Sequence, residues 1–341
     1  METSGQMQKT MFGSKLSDES FITLFMVGVL IVVFGIACIF VPNFYKPQNM
    51  LNLITNNWFI IVLGIGITFV MITGNYDMSV GGNIALTGVL SVYFCQGINV
   101  SENPLANGLG LPYVVAVGLA LLCSMGVGAV NAFFIVKLKV PSIIVTLGTM
   151  MLARGTAQVI TQGAQRNTSL PDAFGVLGSL GIPGTSIRLP VLVMISLIII
   201  AFIFEKRTVF ARRIYLIGAN PVAARLSGIN VGKYLTALYI VSGLLAGITG
   251  ILLASEFKAG VSNRAMGYEF DALVIVLLGG VSISGGFGSV LGMFVGAVIL
   301  SVVTSAATGM LFSPDWQFTL KAIVTFIAIL TQRFALDKRK G

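Results

Sequence analysis

Phe21 to Val41, FITLFMVGVLIVVFGIACIFV, is an apolar run without one charged residue. It has the length that a helix needs to cross a bilayer, roughly 20 residues. Outward from it, similar runs recur at 58–73, 84–98, 113–136, 142–161, 190–204, 234–254, 270–283, 286–308 and 316–333. The pattern predicts an all-α, polytopic membrane protein with about ten transmembrane helices. The runs at 58–73, 84–98 and 270–283 are short or interrupted by glycine, so they are the least able to make full crossings. Composition agrees. Of 341 residues, 56% are hydrophobic and 10% are charged, against about 25% charged in a soluble domain.

Basic residues set the expected sidedness. With the N-terminus inside, the inner loops receive Lys9, Lys15, Lys137, Lys139, Lys206, Arg207, Arg212, Arg213, Arg225, Lys233, Arg333, Lys338, Arg339 and Lys340. The outer loops receive only Lys46, Arg166, Arg188, Lys258 and Arg264. Cytoplasmic loops hold the excess of Lys and Arg, so both termini are expected in the cytoplasm. This divides the chain into a cytoplasmic segment at 1–20, a transmembrane domain at 21–333 and a basic cytoplasmic tail at 334–341. The longest inner connection is 205–233 and the longest outer one is 162–189. The segment 1–20 is polar and carries no cleavage site after an apolar core, so 21–41 reads as a retained span.

Several chemistries are excluded. The chain has no histidine, which removes His-based triads, His–Cys dyads and His-ligated metal sites. Cys38, Cys95 and Cys123 lie far apart in apolar runs and read as packing residues, with no metal expected. The net charge of +9 is accounted for by loop sidedness rather than by nucleic acid. No G-x-x-x-x-G-K-[ST] occurs, so the chain holds no phosphate loop for ATP and no cofactor is expected.

Four segments carry more information. Thr73 to Gly82 places Asn75, Asp77 and Ser79 among glycines between two apolar runs. Asp77 fits a broken helix lining a translocation path. It equally fits a tight turn in which it caps the next helix, which is the commoner arrangement. A similar glycine- and serine-rich stretch lies at 278–289. In the inner loop, Asn220 suits an N-cap, Pro221 a first helical position and Gly228 a C′ position. A short helix over 221–227 follows, with Val222, Ala223 and Leu226 sharing a face. Finally, Tyr268, Glu269 and Asp271 stand at a span entrance, while Arg154 and Lys321 fall inside spans. Arg154 lies about 18 Å along its helix from Ser142, a depth that favours a water-facing or paired position.

Together these residues resemble the permease subunit of ABC importers for simple sugars, the ribose, xylose and galactose group. Asp77, Ser79, Val80 and Gly81 match the family's D-L-S-V-G element. Residues 141–155, 217–229 and 267–289 match three more of its elements, and the likeness covers about 50–333. Tyr76, Met78 and the run 273–276 depart from the pattern. The resemblance implies alternating access for a sugar delivered by a periplasmic or extracellular solute-binding protein. It also implies a second permease, identical or not, and a cytoplasmic ATPase that binds the ATP. It places the chain among the lipids of a prokaryotic plasma membrane, the inner membrane in a Gram-negative cell. It assigns the solute path or gate to Asn75, Asp77, Ser79, Arg154, Glu269 and Asp271. Coupling to the ATPase falls to Asn220, Pro221, Ala223, Ala224, Arg225, Ser227 and Gly228. A nucleoside or a signalling furanose as solute, an ion-coupled secondary transporter and a membrane-embedded enzyme are the alternatives. For the last, no nucleophile–base pair is recognisable.

Overall fold

The structure is a computed structural model and describes residues 24–98, 107–183, 185 and 187–340. The segment 1–20 lies outside the described residues. The first part of the bundle holds α1 (Leu24–Phe40), α2 (Pro47–Thr55), α3 (Trp58–Ile72) and α4 (Val80–Cys95). Next come α5 (Tyr113–Ala132), extended by a π-helical turn at Phe133–Lys137, and α6 (Ser142–Thr161). A 3-10 turn at Asp172–Gly175 runs into α7 (Val176–Ser179) and leads to α8 (Leu189–Arg207), α9 (Val209–Ala219) and α10 (Pro221–Leu226). The chain then forms α11 (Val231–Phe257), α12 (Tyr268–Leu278), α13 (Val290–Gly309) and α14 (Pro314–Lys340). Among the described residues, the only β pairing is two isolated antiparallel bridges.

The all-α membrane class is therefore observed, but the ten runs are not ten equal spans. Among the described residues, five helices are long and apolar enough to cross: α5 with its π turn, α6, α8, α11 and α13. A sixth is obtained if α2 and α3, bent by 49° at their junction, count as one. The runs at 58–73, 84–98 and 270–283 give helices of 15, 16 and 11 residues. The shortest, α12, ends early because Gly279 and Gly280 interrupt it, Gly280 with φ +82°. The following stretch to Ser289 is irregular, and α13 begins at Val290 rather than 286. At the other extreme, α14 continues as helix through residues 334–340, where the sequence sets apart a tail.

Short helices can exist in a bilayer only where protein covers their ends, since hydrocarbon offers no partners to free N–H and C=O groups. The packing meets this requirement. Nearly every residue of α3 and α4 is buried, and α11 runs through the centre against α3, α4 and α5. Small residues permit the close approach: a side chain at Gly243 would lie 2.6 Å from the Ser124 carbonyl of α5. By contrast α5, α6 and α8 turn large apolar side chains outward, Val114, Leu152 and Ile200 among them.

Where α4 and α6 finish, one buried side chain gathers the connections. Arg166 donates from Nε and Nη2 to Gln96 Oε1 at 2.9 and 2.7 Å. It donates to the carbonyls of Ile160 at 2.8 Å and Asn107 at 2.9 Å. Its guanidinium also lies over the Tyr93 ring. Its backbone pairs with Gly260 in both directions. The expected outer connection 162–189 is thus folded back onto the bundle.

Candidate functional site

The break between α3 and α4 is built around Asp77, which is 1% exposed. Its Oδ1 accepts from the Ser79 amide at 3.0 Å and the Ser79 hydroxyl at 2.5 Å. Ser79 in turn accepts from Asn131 Nδ2 of α5 at 2.8 Å, and Asn131 Oδ1 accepts from Thr149 of α6 at 2.6 Å. The second carboxylate oxygen of Asp77 has no hydrogen-bond partner, and Ser242 of α11 faces the carboxylate. Tyr239 donates to the Tyr76 carbonyl at 2.9 Å, and the Tyr76 amide donates to Ser142 at 3.1 Å. Asn75 stays local, donating to Thr73 at 3.1 Å. Asp77 therefore fastens the turn before α4, next to that helix's positive N-terminal end, and through a buried chain of polar groups it joins α4 to α5 and α6. Sequence reasoning missed Asn131 and Thr149. A lone amide in an otherwise apolar span was the signal for the first.

A second cluster joins α6 to the start of α12. Arg154 Nη2 stands 3.8 Å from Glu269 Oε2, with Glu269 nearly fully buried. Arg154 is twelve residues beyond Ser142 in α6, and Glu269 is in the first turn of α12. Gly81 of α4 makes room for the acid, because a Cβ there would overlap Glu269 Oε2. Both Glu269 Oε2 and Arg154 Nη1 lack a hydrogen-bond partner. Asp271, two residues on, accepts from Lys321 of α14 at 2.8 and 3.0 Å. The structure thus brings Arg154 to Glu269 and Lys321 to Asp271, but does not join either pair to Asp77 by any described hydrogen bond.

The third group is a junction of bare backbone. The Gly286 amide donates to the Ile72 carbonyl at the end of α3, at 2.7 Å. Gly218 of α9 lies against the same carbonyl, and a side chain at Gly218 would overlap it. Tyr76 and Tyr215 add hydroxyl bonds to the carbonyls of Ile283 and Gly288 at 3.2 and 2.7 Å. Glu205, at the end of α8, accepts from the first amide of α13, Val290, at 2.7 Å. Both glycine-rich breaks therefore meet the last turn of α9.

Directly beyond that turn stands α10. Asn220 Oδ1 accepts from the amides of Val222 and Ala223, both at 3.0 Å. At the other end Ile229 N bonds Ala224 O and Gly228 N bonds Arg225 O, each at 3.0 Å. This is a Schellman closure, with Gly228 at φ +79°. Arg225 and Ser227 reach back to the carbonyls of Pro221 and Ala223. Ala224 is buried in the chain's own core. Val222, Ala223 and Leu226 point outward, Leu226 at 85% exposure.

The chain is similar in sequence to known proteins along most of its length. Residues 49–330 match the family described as branched-chain amino acid transport system / permease component. The chain is 34% identical over 307 residues to the ribose import permease protein RbsC of Escherichia coli K12, covering 88% of this chain and 90% of that one. It is 33% identical over 319 residues to the ribose import permease protein of Bacillus subtilis 168, covering 92% of each. It is 28% identical over 337 residues to the galactose/methyl galactoside import permease protein MglC of Escherichia coli K12, covering 96% of this chain and all of the relative.

Proposed function

Because the chain belongs to the branched-chain amino acid transport system / permease component family, we propose that it is the membrane-spanning subunit of an ATP-driven sugar importer. It is a transport component rather than an enzyme. The relatives named for ribose and galactose support a pentose or hexose as the solute. In this reading an external binding protein delivers the sugar, a second permease completes the pathway, and a cytoplasmic ATPase binds and hydrolyses the ATP. The distribution of basic residues supports a cytoplasmic α10 and cytoplasmic termini in a prokaryotic plasma membrane.

The observation that carries the reading is α10 and its attachment. A helix capped at both ends is stiff, and its outward Val222 and Leu226 form an apolar pair suited to a groove on a partner. Asn220, Pro221, Ala223, Arg225, Ser227 and Gly228 hold that pair in shape, and Ala224 seats it on the bundle. Displacement of α10 pulls on α9, whose Gly218 contacts the carbonyl ending α3. From there it reaches the Asp77 break on one side and, through Gly286, α12 on the other. ATP favours one state only through the difference in contacts that its ATPase makes with α10 in the two. When α12 shifts, the buried unpartnered atoms of Arg154 and Glu269 become available to the hydroxyls of a passing sugar.

The test is uptake of labelled D-ribose and D-galactose by vesicles containing the permease, its ATPase and its binding protein. ATP-dependent uptake unaffected by dissipating ion gradients is expected. Uptake that needs an ion gradient and no ATP would replace this reading with ion-coupled transport.

A further inference from the structure

Lys321 is the cation inside α14 to which neither the sequence nor the transport reading gives a task. Its ammonium is bidentate on Asp271, at 2.8 and 3.0 Å, and the two side chains are 17% and 12% exposed. The Phe318 ring lies beside it. A lysine within a span is retained only where something pairs with it. Apolar residues would join α14 to α12 at no greater cost, so a buried ion pair is better understood as fixing register than as adding stability. Register matters here because of what α12 carries. Its first turn presents Glu269 to Arg154 of α6. Its last residue, Leu278, leads into the stretch whose Gly286 bonds Ile72 and whose Ile283 carbonyl accepts from Tyr76. The two ion pairs also differ. Asp271–Lys321 is short and doubly bonded, whereas Glu269–Arg154 is 3.8 Å long with a free atom on each side. One holds α12 in place while the other is poised to exchange partners.

We propose that Lys321 is a positioning residue of the transport cycle. By gripping Asp271 it sets where α12 sits, and so where residues 279–289 meet α3 and α9. The inference rests on the coupling reading above. It is tested on the full chain after replacing Cys38, Cys95 and Cys123 and introducing Ile283→Cys. Position 283 is exposed and follows α12 closely. The rate of N-ethylmaleimide labelling at 283 reports the placement of this stretch whether or not any sugar is transported. Lys321→Met, which leaves a buried carboxylate unpaired, should shift that rate by about threefold or more. A reference cysteine at Leu311, 92% exposed, should label at the parent rate. Uptake per assembled complex should fall by about tenfold. Lys321→Arg should restore both values, and the neutral pair Lys321→Gln with Asp271→Asn should restore the labelling rate. Unchanged labelling at 283 in Lys321→Met overturns the inference, and so does failure of the neutral pair to restore it. If the parent imports neither D-ribose nor D-galactose, the sugar-transport reading falls, and the labelling arm still decides the role of Lys321.

Discussion

The two ends of the bundle are held together by opposite means. Where α4 and α6 finish, a single guanidinium binds Gln96, Ile160 and Asn107, and its backbone pairs with Gly260. Where the two breaks meet α9, the contact is mostly backbone on backbone, with the Tyr76 and Tyr215 hydroxyls bonded to the carbonyls of Ile283 and Gly288. Gly218 and Gly286 lie on the Ile72 carbonyl, and Gly285 packs against Gly74. Charge-assisted bonds from a planar fork fix both distance and direction. Backbone-on-glycine contact, with one amide bond between Gly286 and Ile72, fixes fewer directions and leaves one element freer to turn on another. The first arrangement suits a frame and the second a bearing. In the proposed orientation, the bearing is at the cytoplasmic end beside α10.

The contrast is broken most severely at Gly218. Gly218→Ala places a methyl group onto the Ile72 carbonyl, and neither backbone has a rotamer to escape into. A loss of about 3 kcal/mol is expected, measured as thermal unfolding of the solubilised protein, with coupling of uptake to ATP hydrolysis lost in whatever remains. Parent-like coupling in Gly218→Ala would show that the junction bears no motion. At the other end, Arg166→Met leaves three acceptors without their donor. It should cost about 2 kcal/mol and expose the connection after α6 to protease. Uptake per folded molecule should stay near that of the parent. If Arg166→Met uncouples the transporter as Gly218→Ala does, the distinction between frame and bearing fails. The smallest effect on stability belongs to Leu226→Ser on the outward face of α10, within about 0.5 kcal/mol. Retention of the ATPase during purification should nevertheless drop several-fold. Equal retention would remove α10 as the docking element.

How much of this was legible depended on the range of each signal. The caps of α10 are local, so Asn220, Pro221 and Gly228 announced them, and the helix lies where those residues put it. The Asp77 turn was legible for the same reason. The direction in which Ala224 faces was not. Val222, Ala223 and Leu226 form an apolar stripe, and in a soluble protein that stripe would face inward. Here the packed surface is itself so apolar that one alanine against it suffices. Helix lengths were legible in part: the runs at 58–73, 84–98 and 270–283 read as short or glycine-interrupted and form helices of 15, 16 and 11 residues, but hydropathy did not show that α13 starts only at Val290. The pairs Asp271–Lys321 and Asn131–Thr149 join different helices, and nothing in a single sequence announces which distant residue answers a buried charge or amide.

The burial of α3 and α4 also bears on how the molecule is made. Both are too short to reach across the hydrocarbon alone, and much of their cover is α11. That helix emerges from the ribosome only after α5 to α10 have been synthesised. In the interval the broken hairpin, with Asp77 at its turn, has no finished bundle to enter, and lipid is a poor host for its open helix ends. Its final position must be taken late, when α11 closes over it, so that α3 and α4 wait on one later helix for their cover.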